Sequence, residues 1–206
     1  MCKSLHGLKK SFGLALVLLA SLGTSAQTEI STAEGLKAMA NDLTGEYVLT
    51  SDITLSEEWT PIGNAQNPFC GTFNGQGHTI NGLRIGGGEN LGLFGTASGA
   101  IIENVRLTNA EVGQYGNGKA VGTIVGNAQG VTIKGCFTSG VAYGNDHVGG
   151  IAGDVRNGTE IINCLSTMAV YSSGYQAGGI AGDNYDGSYT NNLFLGQVYA
   201  GNSWNG

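Results

Sequence analysis

The sequence predicts an all-β fold, a parallel β-helix entered through a short capping helix. Three observations predict it. First, one phrase recurs four times: Gly92-Leu93-Phe94-Gly95, Gly122-Thr123-Ile124-Val125-Gly126, Gly149-Gly150-Ile151-Ala152-Gly153 and Gly178-Gly179-Ile180-Ala181-Gly182, with closing glycines 31, 27 and 29 residues apart. A fixed period of roughly 20 to 50 residues marks a solenoid or a propeller. Second, two columns flank a turn-favouring landmark at Asn104, Gly135, Asn163 and Asn192: Ile102, Ile133, Ile161 and Thr190 before it, Val105, Cys136, Cys164 and Leu193 after it. Third, 37 glycines stand against two prolines and only 12% charged residues, while apolar residues recur in register. That composition is neither disordered nor collagen-like, and suits short strands joined by tight turns. A propeller blade needs longer repeats with four antiparallel strands. A coil returning to the same angular position once per repeat stacks like residues on like, about 4.8 Å apart, and each rung is stabilised by its neighbours.

The elements follow in order. Lys3, Lys9 and Lys10 precede a short apolar run, Phe12 to Ala20, and small residues close at Thr24-Ser25-Ala26; this is the pattern of a signal peptide over 1–26. The run is about half of the roughly 20 residues that span a bilayer, so no membrane insertion is expected after cleavage. Residues 27–68 read as an N-terminal cap. Ser31 and Glu34 have capping-box spacing, and Leu36, Met39 and Leu43 fall on one face of a helix over 31–43. Short strands follow at Tyr47–Thr50 and Ile53–Leu55, and WTPIG (59–63) is a turn-rich link. The coil proper is read over 69–206, where Asn-Gly and Gln-Gly turns separate brief strands. The segment 196–206 stops where another repeat should begin, so the chain reads as part of a longer protein.

YVLTSDITLS, WTPIG, GTFNGQGHTINGL and the repeats around GGIAG together resemble bacterial surface proteins that carry GLUG repeats, over about 47–200. The resemblance implies a right-handed parallel β-helix in the non-catalytic part of an exported surface protein. Some proteins with these repeats are IgA-cleaving metalloproteases and others are adhesin-like. The HExxH zinc helix of such proteases is missing: Thr-Ile-Asn follows His78 and Val-Gly-Gly follows His147.

Several side chains are of types that can carry chemistry. Asp154 and Asp183 each follow a GGIAG, with Asn127 in the equivalent place one rung earlier, and stacked oxygens on a turn suit calcium. Turn chemistry accounts for the same residues, and no metal or cofactor is assigned. Glu103 and Glu160 do not form a recognisable acid pair, and Arg84, Arg106, Lys134 and Arg156 share no clear column, so no catalytic residue is assigned. His78 is read as a turn or strand-edge residue. Cys136 and Cys164 share one column, as packed small hydrophobes or as a bridge between rungs. Tyr115, Tyr143, Tyr171, Tyr175 and Tyr185 stand among Gly, Asn and Ser, and are the candidate binding residues, since a flat ring covers area at small entropic cost.

Without residues 1–26, six basic residues face fifteen acidic ones, a net charge of −9. Nucleic acid and anionic membranes are therefore poor partners, since both need clustered positive charge. The expectation is a non-catalytic, secreted or cell-surface module, adhesin-like or stalk, touching host glycan or extracellular protein through its loops. The alternatives are a fragment of a polysaccharide-acting β-helix enzyme and a bare structural spacer.

Overall fold

Four short strands and four corners make one coil of this chain. Starting at Ile101–Glu103 on the first face, the backbone runs through Arg106–Val112 on the second, Gly118–Gly122 on the third and Val125–Gln129 on the fourth, then re-enters the first face at Thr132–Lys134. The computed structural model describes residues 27–201; the signal segment read at 1–26 and the last five residues lie outside the described residues. The first face stacks seven strands, from Thr28–Ile30 and Glu46–Leu49 through Thr72–Asn74, Ile101–Glu103, Thr132–Lys134 and Glu160–Ile162 to Ser188–Thr190. Pairing between successive rungs is parallel on every face. The expected parallel solenoid is therefore what the chain forms, and the segment 27–68 already supplies strands to it.

Register explains the repeat. Ile133 pairs with Ile102 on one side and Ile161 on the other, and all three are fully buried. Below them the column continues into Phe73 and Tyr47. Phe73 packs edge-on to Phe94 at 5.6 Å, and Phe94 lies 4.6 Å from Phe69, so an aromatic cluster fills the early rungs. Leucine, valine and isoleucine fill the later ones.

The landmark alignment needs one correction. Ile161 is topped by Tyr189, and Thr190 sits beside Ile162. Likewise Leu193 pairs with Leu165, which places Asn192 above Cys164. The positive-φ bend residues are Asn104, Gly135, Asn163 and Asn191, at 55°, 62°, 54° and 53°, so the last rung is shifted by one residue from the sequence alignment. Asn192 fits because its amide replaces what the thiols do below it. Cys136 N–H donates to Cys164 Sγ at 3.4 Å; Cys164 N–H donates to Asn192 Oδ1 at 2.9 Å, and Asn192 Nδ2 donates to the Ile161 carbonyl at 2.7 Å. Both cysteines are buried free thiols. The Cys136 thiol is pushed well above its ordinary value by its hydrogen bond with Cys164 and by burial, which suits inert packing.

The helix is also shorter than expected. It spans Ala33–Ala38 and tightens into a 3₁₀ turn at Met39–Asn41. Its cap is Thr32, whose Oγ1 accepts from Gly35 N–H at 3.1 Å, and not Ser31. Leu36 and Met39 are fully buried as the spacing predicts.

The repeated glycines work where the third face meets the fourth. A Cβ on Gly126 would lie 2.3 Å from Asn90 C; on Gly153, 2.3 Å from Ala120 C; on Gly182, 2.2 Å from His147 C. Two strands thus pack backbone against backbone with no side chain between them. The residues they press on, Asn90, Ala120 and His147, have φ of 54°, 55° and 53°. GGIAG is the signature of a fold-back too tight for any side chain.

Candidate functional site

Three of the tyrosine positions form an ordered row. Tyr143 pairs with Tyr171, and Tyr171 with Tyr199, on the outer side of the second face. Their rings stack at 5.3 Å and 4.6 Å, the upper pair only 6° from parallel. Stacking along the axis covers ring faces with ring faces and leaves edges and hydroxyls toward solvent. Tyr199 OH donates to Gln197 Oε1 at 2.5 Å. On the same outer surface a second column runs Phe137, Leu165 and Leu193, its first ring covered by the Arg106 guanidinium at 4.8 Å. The strip between carries Val141, Ala169 and Gln197. The result is a flat, apolar-edged surface three rungs high.

The remaining tyrosines do not join it as a single site. Tyr115 and Tyr175 stand at the corner between the second and third faces, strongly exposed, and Tyr185 stands at the corner from the fourth face back to the first. Tyr199, absent from the sequence candidates, belongs to the row. Its signal was the constant 28-residue step from Tyr143 through Tyr171.

A polar group lies where the third and fourth faces converge. Asn127, Asp154 and Asp183 do stack in register. Sequence reasoning missed what faces them. His147 Nδ1 meets Asp154 Oδ1, and Gln176 Nε2 donates to Asp183 Oδ1 at 3.2 Å. Arg156 Nη2 donates to Oδ2 of both aspartates, at 3.3 and 3.2 Å. Each partner sits seven residues before its aspartate (147 and 154, 176 and 183), the span of one fold-back. Burial, with a smaller part from the nearby Asp183 carboxylate, pushes the Tyr189 hydroxyl up to about 12.

Other singled-out residues are dispersed. His78 Nδ1 lies 3.2 Å from Asp52 Oδ1, which also accepts from Thr79 N–H at 2.8 Å, a strand-edge arrangement. Glu103 accepts from Asn74 Nδ2 at 2.8 Å and neighbours Lys134, whereas Glu160 neighbours Thr132 and Ser188. Arg84, Arg106, Lys134 and Arg156 occupy four different columns. An open groove of about 460 Å³ gathers Glu57, Glu58, Glu111 and Arg84. Lys37 already holds Glu57 at 2.6 Å, and Gly86 N–H donates to Glu58 at 3.1 Å.

Against known proteins, the chain is similar to long ones. It is 36% identical over 166 residues to halomucin of Haloquadratum walsbyi, a match covering 70% of this chain and 2% of halomucin. It is 35% identical over 115 residues to a protein of Evansella cellulosilytica provisionally named a Gly-rich membrane protein, covering 50% of this chain and 13% of that one. The chain thus spans a small fraction of both relatives. No family model matches it. Among solved structures it is similar to a Bacteroides ovatus chain provisionally named an immunoglobulin A1 protease, with a TM-score of 0.69 over 85% of this chain and 62% of that one. At 23% identity that likeness establishes the solenoid fold alone.

Proposed function

We propose that this chain is a non-catalytic module of an exported surface protein of the GLUG-repeat kind, which holds a glycan or an extracellular protein against its second face. The tyrosine row carries the reading. Aromatic rings aligned at rung spacing on a rigid scaffold give a flat contact that loses little side-chain freedom on binding. Because the ring faces cover one another, contact is edge-on, through phenol hydroxyls and the aliphatic column of Leu165 and Leu193. Similarity to a halomucin and to a protein named for a membrane supports placement at or outside the cell surface. The net charge of −9 outside residues 1–26 supports neutral or basic partners over nucleic acid.

The test is a glycan array and an extracellular-protein array probed with the purified chain and with a Tyr143→Ser/Tyr171→Ser/Tyr199→Ser variant. Binding that the triple variant loses while its circular dichroism stays unchanged supports the reading. Equal binding by both proteins sinks it. A second reading, a polysaccharide-acting enzyme, draws on the Glu57, Glu58, Glu111 and Arg84 groove. Hydrolysis of a polysaccharide that Glu111→Gln abolishes would establish that reading instead.

A further inference from the structure

We propose that His147, Asp154 and Asp183 form a binding site for a divalent transition ion of the zinc class. The three residues offer one nitrogen and two carboxylate oxygens that all lie within 4.8 Å of one another. They come from three strands, Asp146–Gly149, Ala152–Arg156 and Ala181–Asn184, so the ligands span both a fold-back and the interface between two rungs. His147 and Asp154 are buried, and Asp183 is partly so.

The imidazole decides the chemistry. Both ring nitrogens of His147 face carboxylates: Nδ1 faces Asp154 Oδ1, and Nε2 lies 3.4 Å from Asp146 Oδ2. A neutral imidazole carries one proton for its two nitrogens. With that proton on Nε2 toward Asp146, the Nδ1 lone pair meets a carboxylate oxygen, and a cation bound by both atoms satisfies them once they draw apart to admit it. This is the carboxylate–histidine–metal arrangement, in which an outer carboxylate fixes the ring and raises its basicity. Arg156 plays the matching part for the aspartates, engaging Oδ2 of each, so that the Oδ1 atoms, now against His147 Nδ1 and Gln176 Nε2, are the ones that turn toward the ion. Three carboxylates (Asp146, Asp154 and Asp183) against one guanidinium leave two negative charges, which a dication neutralises.

The same geometry selects among metals. Calcium takes six to eight oxygens, but here one ligand is nitrogen and two of the four ligand-carboxylate oxygens are held by Arg156. Zinc accepts three protein ligands, with nitrogen and oxygen at about 2.0–2.2 Å, and keeps a fourth position for water. The Asp183 side chain, 24% exposed, leaves that position an approach. Binding exchanges the Gln176–Asp183 hydrogen bond for a bond to the ion. One rung below, the His147 and Asp154 positions hold Ala120 and Asn127, so the constellation is not a by-product of the repeat.

Isothermal titration of the untagged, EDTA-treated chain with zinc chloride tests the site, with cobalt(II) absorbance as the reporter of geometry. Binding of one equivalent at micromolar affinity or tighter is expected, with a tetrahedral cobalt spectrum free of a thiolate charge-transfer band. His147→Asn, which tolerates the φ of 53° at this position, and Asp183→Asn are each expected to weaken binding at least tenfold. Asp146→Asn is expected to weaken it about tenfold through the ring it orients. Circular dichroism in EDTA must match the wild type for each variant compared. Absence of binding at about 100 µM zinc, far weaker than structural sites achieve, overturns the proposal. So does a thiolate band, or undiminished affinity in a folded His147→Asn or Asp183→Asn protein.

Discussion

Replacing Gly153 with alanine adds one methyl group at the fold-back. Its Cβ would lie 2.3 Å from Ala120 C, 2.5 Å from Gly126 O and 2.5 Å from Val121 N. All three are backbone atoms, so none can swing aside as a side-chain end would. Restoring ordinary contact requires the third and fourth faces to separate by about 1 Å, which forfeits a quarter to a half of the dispersion attraction between touching atoms. Overpacking typically costs about 1–3 kcal/mol, and with rigid neighbours on every side about 3 kcal/mol is the expected loss. With a urea slope of about 2 kcal/mol/M, the denaturation midpoint should fall by roughly 1.5 M. Gly35→Ala is the matched control: its Cβ would meet Thr32 Oγ1 at 3.5 Å and Ile30 Cγ2 at 3.6 Å, both ordinary contacts, inside the helix Ala33–Ala38. There the same methyl should raise stability by about 0.5–1 kcal/mol. Equilibrium urea unfolding followed by far-ultraviolet circular dichroism reads both. A Gly153→Ala midpoint within about 0.3 M of wild type at an unchanged slope would refute backbone-on-backbone packing as the reason for the repeated glycine.

Three further outcomes follow from the same structure. Ile133→Ala opens a cavity in the middle of a fully buried isoleucine column and should lose about 3 kcal/mol in the same urea assay, within the usual 2–5 for such truncations. The hydroxyl of Thr123 is buried without a hydrogen-bond partner, so Thr123→Val should gain about 1 kcal/mol, visible as a higher melting temperature. The Asp52 carboxyl is held below its ordinary 3.8 by the Thr79 N–H and by His78; its contribution is complete above that value and is lost as pH falls through the lower folded one. Asp52→Asn should therefore lower the urea midpoint at pH 7, and the gap to wild type should close on acidification below 3.8.

The coil was legible because its residues repeat at the period of the backbone path. Ile102, Ile133 and Ile161 align in sequence as they do in space, since one rung differs from the next only at its corners. Legibility failed where a corner changes length: the last rung places Tyr189 where the isoleucine pattern pointed to Thr190, a slip only pairing can register. The helix cap failed for a local reason, because Ser31 and Thr32 are both good caps and the backbone turns at the second. The aspartate column was readable from GGIAG, but His147 was not. It precedes the glycine phrase and faces Asp154 only because the chain doubles back on itself there. The tyrosine candidates divided likewise: Tyr143 and Tyr171 share a rung position, whereas Tyr115 and Tyr175 share a corner and Tyr185 stands at another.

Among the described residues, strands pair with the coil before and the coil after, and this has a mechanical outcome. Under tension between its ends, such a stack has no strand buried behind another to resist as a block. It yields by peeling, one winding at a time, and each winding of about 28 residues pays out roughly 90 Å of extended chain. Force spectroscopy would record a staircase of small, similar steps, and a protein that tethers one surface to another by this means would lengthen by increments instead of snapping.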